Sequence, residues 1–190
     1  MIYLLRLLEE EKKSPEELKD LKKRLISFGL QREYGLPIKD VEASSTGSLY
    51  LRNHEEIHLS TTQTKGLLGV SLSSCPVGID AEYRRPGNPY VEKKILGEKE
   101  EFWYQRMQNK DEALLKYFTL KEAYGKAIGT GLSYDFRNTG FYFGENGIES
   151  DLKEAQFYFL DYCQEFIISL CVLCRKRRQN SLEIVKFILP

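Results

Sequence analysis

The segment Val77-Gly-Ile-Asp-Ala-Glu82 places charge inside an apolar context, because Val77, Ile79 and Ala81 alternate with Gly78, Asp80 and Glu82. In a strand that alternation puts both carboxylates on one face. Two acids so close raise each other's pKa unless a cation lies between them. Oxygen-only ligands suit a hard cation such as Mg²⁺, which takes one or two carboxylates and completes its shell with water and phosphate oxygens. That chemistry points to a phosphate-bearing substrate; the alternative is an exposed strand face with two solvated acids. Gly78, on the same face, leaves room for something to approach the backbone. A second group follows, in which Phe118, Glu122 and Lys126 fall four residues apart and form one helical stripe. A seam that starts buried and runs into Glu122 brings that acid to the rim of the core, within reach of the Asp80 and Glu82 face. Lys126, one turn further, would then stabilise phosphate or donate a proton to a leaving group. The alternative is an i,i+4 surface ion pair contributing about 0.2–0.5 kcal/mol.

Other patterns carry less chemistry. His54-Glu-Glu-Ile-His58 matches the H-E-x-x-H of zinc proteases, but the flanking residues favour strand and turn, and these are the only two histidines. In a strand the two rings would stand ~13 Å apart at the backbone, too far for one zinc. Cys171 and Cys174 form a C-x-x-C inside an apolar strand, where residues three apart point to opposite faces. With Cys75 and Cys163 at unrelated spacings, the expectation is four ordinary thiols. Arg175-Lys-Arg-Arg178 reads as a solvated hairpin turn or as a patch that steers an acidic partner.

The elements that must position these residues are legible in part. Residues 2–8 form a strand, and Ser14-Pro15-Glu16-Glu17 supplies an N-cap, a first-turn proline and a capping-box acid. The stripe Leu18, Leu21, Leu25 and Phe28 then predicts a helix that ends near Tyr34, before Gly35. Short strands are expected at 49–51, 57–60, 67–72 and 77–82, helices at 91–107 and 111–128, and strands at 141–143, 156–160, 165–173 and 182–189. The order predicts an α+β fold of two similar halves, residues 1–75 and 76–190, with antiparallel sheets packed on helices and a pseudo-two-fold relation. No sequence repeat links the halves. The 190 residues carry 28 basic and 28 acidic side chains, a balance that argues against wrapping nucleic acid. The longest apolar run, 166–173, is far short of the ~20 residues of a membrane span, and the opening residues do not read as a signal peptide, so a cytoplasmic protein is expected.

Taken together, Val77-Gly-Ile-Asp-Ala-Glu82 and Lys121-Glu-Ala-Tyr-Gly-Lys-Ala-Ile-Gly-Thr-Gly-Leu132 resemble the two signature motifs of the 4′-phosphopantetheinyl transferase superfamily. The chain is similar to the larger type, in which two halves lie in one chain and imply a monomer. The resemblance implies transfer of the 4′-phosphopantetheine arm from coenzyme A to a serine of an apo acyl or peptidyl carrier protein, with Mg²⁺. It implies metal roles for Asp80, Glu82 and Glu122, a base that is either Glu122 or a metal-bound water, a phosphate or leaving-group role for Lys126, and a cofactor-binding place for Lys121. Upstream, His58-Leu59-Ser60-Thr61 stands where the family has Asn-Leu-Ser-His, whose serine and histidine help bind the nucleotide end of coenzyme A. Ser60 and Thr61 are therefore expected to contact the cofactor, although a threonine replaces the histidine. Ser48 stands for a lysine of a Gly-Lys-Pro-like turn, and the basic residues that the family usually carries ahead of the first helix have no clear match, with Lys12 and Lys13 as stand-ins. These departures also admit a relative that binds coenzyme A or a carrier protein without transfer.

Overall fold

The computed structural model describes residues 1–7, 13–44, 47–131, 135–144, 147–174 and 184–187. Arg175–Arg178, Lys12 and Leu132 lie outside the described residues. Strand β1 (Ile2–Arg6) leads to helix α1 (Pro15–Tyr34), which begins as its sequence dictates. Ser14 accepts the Glu17 N–H, the Glu17 carboxylate accepts the Ser14 N–H, and Gly35 closes the helix in a left-handed conformation at φ 67°. A short hairpin of β2 (Val41–Ala43) and β3 (Leu49–Leu51) follows, then β4 (His58–Thr64) and β5 (Leu67–Ser73). The second half opens with β6 (Val77–Tyr83) and continues through α2 (Pro89–Ile95), α3 (Glu98–Tyr104) and α4 (Lys110–Ala127). Its strands are β7 (Phe141–Gly144), β8 (Gly147–Ser150), β9 (Ala155–Phe159) and β10 (Phe166–Leu173), with β11 (Ile184–Phe187) last.

The single helix expected over 91–107 is two helices. Leu96 and Gly97 are both extended, which ends α2, and Gly97 donates its N–H to Glu100 as the start of α3.

The two sheets repeat one topology. In the first, β5 lies between β1 and β4; in the second, β10 lies between β6 and β9, and all four pairings are antiparallel. A helical segment and a two-stranded hairpin separate the first strand from the last two in both halves, so the fold is α+β with a pseudo-two-fold arrangement. Strand β11 departs from the repeat by pairing parallel to β1, so part of the 76–190 segment is built into the first half's sheet. Leu68, Val70 and Leu72 of β5 pack with Tyr3 and Leu5 against Leu21, Leu25 and Leu30 of α1. The opposite face contributes Ile2, Leu4 and Leu67 to a core shared with Val77, Ile79, Ala81, Ile168 and Leu170, and this is where the halves meet. Among the described residues no helix is long and apolar enough to cross a membrane.

The cysteines differ from expectation. Cys75 and Cys174 form a disulfide with Cα atoms 5.9 Å apart, while Cys163 and Cys171 are free. The β6–β10 register explains the pairing: Val77 faces Val172, so the next outward positions on the same side of the ladder are Cys75 and Cys174. Sequence spacing carries no trace of that register. The two sulfurs of the C-x-x-C do diverge, with Cys171 buried against Ala123 and Ala127 of α4.

Candidate active site

The site begins with a missing side chain. A Cβ on Gly78 would meet the Ala123 carbonyl oxygen at 1.9 Å and the Ala127 nitrogen at 2.7 Å, so helix α4 lies directly on the backbone of β6. The space beside Gly78 is thus occupied by α4 itself. That contact sets α4 so that its Phe118, Glu122 and Lys126 stripe runs beside Asp80 and Glu82. All five residues line one cleft of about 730 Å³, together with Ser60, Thr61, Ser48, Thr130 and Gly131. Thr130 is brought in because its loop folds back on α4: its N–H bonds to the Gly125 carbonyl at 3.0 Å, and Gly125 has no side chain to obstruct it.

Inside the cleft Lys126 pairs with Asp80, not with Glu122. Its Nζ donates to Asp80 Oδ1 at 2.7 Å, to the Ile79 carbonyl at 2.9 Å and to the Thr61 carbonyl at 3.3 Å. Asp80 Oδ1 also accepts from the Thr62 hydroxyl at 3.3 Å. Asp80 Oδ2 and Glu122 Oε1, by contrast, are buried and have no hydrogen-bond partner among the described residues. Glu82 is half-buried and accepts from Arg85 at 3.1 Å. Burial pushes the Asp80 carboxyl above its ordinary range despite the Lys126 charge. Burial, reinforced by the neighbouring Asp80 charge, pushes Glu122 up to about 7.

An unpartnered buried carboxylate oxygen costs about 1–3 kcal/mol or more, so two on facing elements call for a ligand. Among the described residues no group of three His, Cys, Asp or Glu side chains stands ready to hold a metal ion. The donor chemistry nonetheless fits a hard divalent cation: two orphaned carboxylate oxygens, Glu82 beside them, and an open cleft for water and phosphate oxygens.

Ser60 and Thr61 reach the cleft in different ways. Ser60 is buried, and its hydroxyl accepts the Ile79 N–H at 3.2 Å, whereas Thr61 is half-buried and offers its carbonyl to Lys126. Lys121 is not brought to the cleft. One residue before Glu122 on a helix, it points into the opposite core, where its ammonium bonds to Glu100 at 2.5 Å, the Phe136 carbonyl at 2.6 Å and the Ile95 carbonyl at 2.7 Å. Both members of that ion pair are 1% exposed, so the expected cofactor contact at Lys121 gives way to an internal clamp. Lys13, just ahead of α1, is not among the cleft-lining residues either. The His54 to His58 segment forms a turn leading into β4, not a helix, and His54 pairs with Glu56 at 3.5 Å. Thr62 carries no signal in the sequence beyond its alternation with Ser60 and Thr64.

The model of the 4′-phosphopantetheinyl transferase superfamily matches residues 76–171, half of the chain, and the protein belongs to that superfamily. Among solved structures, the holo-[acyl-carrier-protein] synthase of Thermotoga maritima is 25% identical over 54% of this chain, with a TM-score of 0.47. The match spans 64% of that enzyme's own length. The holo-[acyl-carrier-protein] synthase of Neisseria meningitidis is 19% identical over 51% of this chain and 95% of its own, with a TM-score of 0.42. No curated protein sequence matches the chain.

Proposed function

We propose that this protein transfers the 4′-phosphopantetheine arm of coenzyme A to a serine hydroxyl of an apo acyl or peptidyl carrier protein, acting as a cytoplasmic, Mg²⁺-dependent monomer. The observation that supports this most directly is the pair of unpartnered carboxylate oxygens, Asp80 Oδ2 and Glu122 Oε1, on two residues of one cleft. Asp80, Glu82 and Glu122 would hold the ion. Bound Mg²⁺ supplies charge neutralisation for a pyrophosphate.

The chain's own residues account for the rest. The acceptor serine loses its proton as its oxygen bonds to the β-phosphorus, and the bond from that phosphorus to the bridging oxygen breaks, releasing 3′,5′-adenosine bisphosphate. Glu122, which lines the cleft with its Oε1 free of hydrogen-bond partners among the described residues, is the candidate base for that proton. Lys126 would offset charge on the departing phosphate. Its three N–H groups are already engaged, so a phosphate oxygen must displace one acceptor; the Thr61 carbonyl, at 3.3 Å, is the longest of the three. Ser60 and Thr61 line the same cleft for the nucleotide end of the co-substrate.

Intact mass of several apo carrier proteins, measured after incubation with this protein, coenzyme A and Mg²⁺, tests the reading. A gain of one phosphopantetheine arm that chelator abolishes is the expected result. No gain on any carrier, with the protein shown to be folded, would favour a relative that binds without transferring.

A further inference from the structure

The two halves are joined beside the site by side chains where a backbone ladder would otherwise run. Ser60, Thr62 and Thr64 alternate on β4, and their hydroxyls accept the N–H groups of Ile79, Ala81 and Tyr83 on β6 at 3.2, 3.0 and 3.2 Å. One register therefore carries three hydroxyls along an edge strand whose N–H groups would otherwise be orphaned. The middle hydroxyl has a second task. Having accepted from Ala81, Thr62 Oγ1 directs its own proton to Asp80 Oδ1 at 3.3 Å, from a position that is 3% exposed. Lys126 donates to the same oxygen, so both donors on Asp80 lie on Oδ1 and Oδ2 is left bare. Gly69, opposite Thr62 on β5, keeps the threonine in place: a Cβ there would stand 2.8 Å from the Thr62 methyl.

We propose that Thr62 is a positioning residue, contributed by the first half, that anchors Asp80 through Oδ1 and so presents Oδ2 for a divalent cation. The role rests on the reading of Asp80 as a cation ligand. Within it the site is a joint product of both halves, and Thr64 serves as an internal comparison, since it makes the same seam bond without touching Asp80.

The test measures Mn²⁺ affinity in the presence of coenzyme A by calorimetry, with thermal unfolding alongside, for the wild-type protein, Thr62→Val, Thr62→Ser and Thr64→Val. A hydrogen bond to a charged group contributes about 1.5–3 kcal/mol, so Thr62→Val is expected to weaken Mn²⁺ binding roughly tenfold or more. Thr62→Ser, which keeps the hydroxyl, should stay within about twofold of wild type, and so should Thr64→Val. In transfer assays a high Mg²⁺ concentration should restore kcat to Thr62→Val, because the defect lies in holding the ion. Equal weakening by Thr62→Val and Thr64→Val, or none by either, overturns the positioning role while leaving the site reading intact. A wild-type protein that binds no Mn²⁺ overturns both. If Thr62→Val does not fold, Thr62→Ala takes its place; failure of both to fold, with Thr64→Val folded, assigns the hydroxyl to structure alone and also overturns the proposal.

Discussion

Asp80 and Glu122 sit where a folded chain does not ordinarily leave acids, each buried and each with one oxygen lacking a donor among the described residues. Their neighbourhood explains the tolerance: Lys126 supplies one positive charge to Asp80, and Glu122 lowers its own cost by holding a proton up to about pH 7. Glu122→Ala should reduce transfer roughly 10²-fold to 10⁴-fold, the range of a lost general base, with little loss of folded stability. Unchanged transfer by that variant would remove Glu122 from the site. The sign of its pH effect on stability follows from linkage. In cation-free protein a carboxyl raised from 4.5 to about 7 keeps its proton longer when folded than when unfolded. The native state binds more protons across that interval, so stability falls as pH rises from 4.5 to 7. Melting temperatures of wild type and Glu122→Gln in chelator should therefore converge at the acid end, with the variant more stable at the neutral end.

At the scale of elements, helix α4 is clamped on two sides. On one side Gly78 admits the helix backbone; on the other Lys121 ties α4 to the α2–α3 junction and to the short 3-10 turn Phe136–Asn138 through Ile95, Glu100 and Phe136. Glu100 completes that side by accepting the Gly97 and Phe141 N–H groups. Gly78→Ala should destabilise the protein by about 3 kcal/mol or more, since the clash is with backbone and must displace α4. The same variant should lose coenzyme A binding as Glu122 and Lys126 move away from Asp80. Lys121→Met leaves the Glu100 charge buried and unpaired, for which about 3–5 kcal/mol is expected by chemical denaturation. Per folded molecule its coenzyme A affinity should match wild type. Lost affinity at full folding would return Lys121 to the cleft.

At the scale of the molecule, two sheets of one topology meet through Ile2, Leu4 and Leu67 on one side and Val77, Ile79 and Ala81 on the other. Both ends of the second half's central strand pair are secured: Arg84 donates to the Gln164 carbonyl at one, and Cys75 is bonded to Cys174 at the other. The disulfide closes a loop with a sequence separation of 99 residues. Cross-linking a loop that long stabilises by about 2–4 kcal/mol, chiefly by restricting the unfolded chain. A reductant should lower the melting temperature of the wild-type protein, and Cys75→Ser should melt at the reduced value and ignore the reductant. A wild-type melt insensitive to reduction would show that the bond does not form.

The sequence by itself determined the features that depend on near neighbours. The Ser14 capping box, the α1 stripe, the alternation of Val77 to Glu82 and the four-residue spacing of Phe118, Glu122 and Lys126 all express backbone geometry within a few residues. So do the paired motifs by which the superfamily is recognised. What the tertiary structure decided involves residues far apart in the chain. That Asp80 meets Lys126 and Glu122 depends on α4 pressing onto Gly78. Lys121 turns away from the cleft that holds Glu122 because the next residue on a helix lies about 100° around the axis, and only the packing of α4 shows which side is core. The cysteine pairing followed from the β6–β10 register, and the exclusion of a side chain at Gly97 from the carbonyl of Arg137. Thr62 became visible only when β4 and β6 were side by side, because a hydroxyl that accepts from one strand and donates to an acid on it has no signature in the spacing of either strand alone.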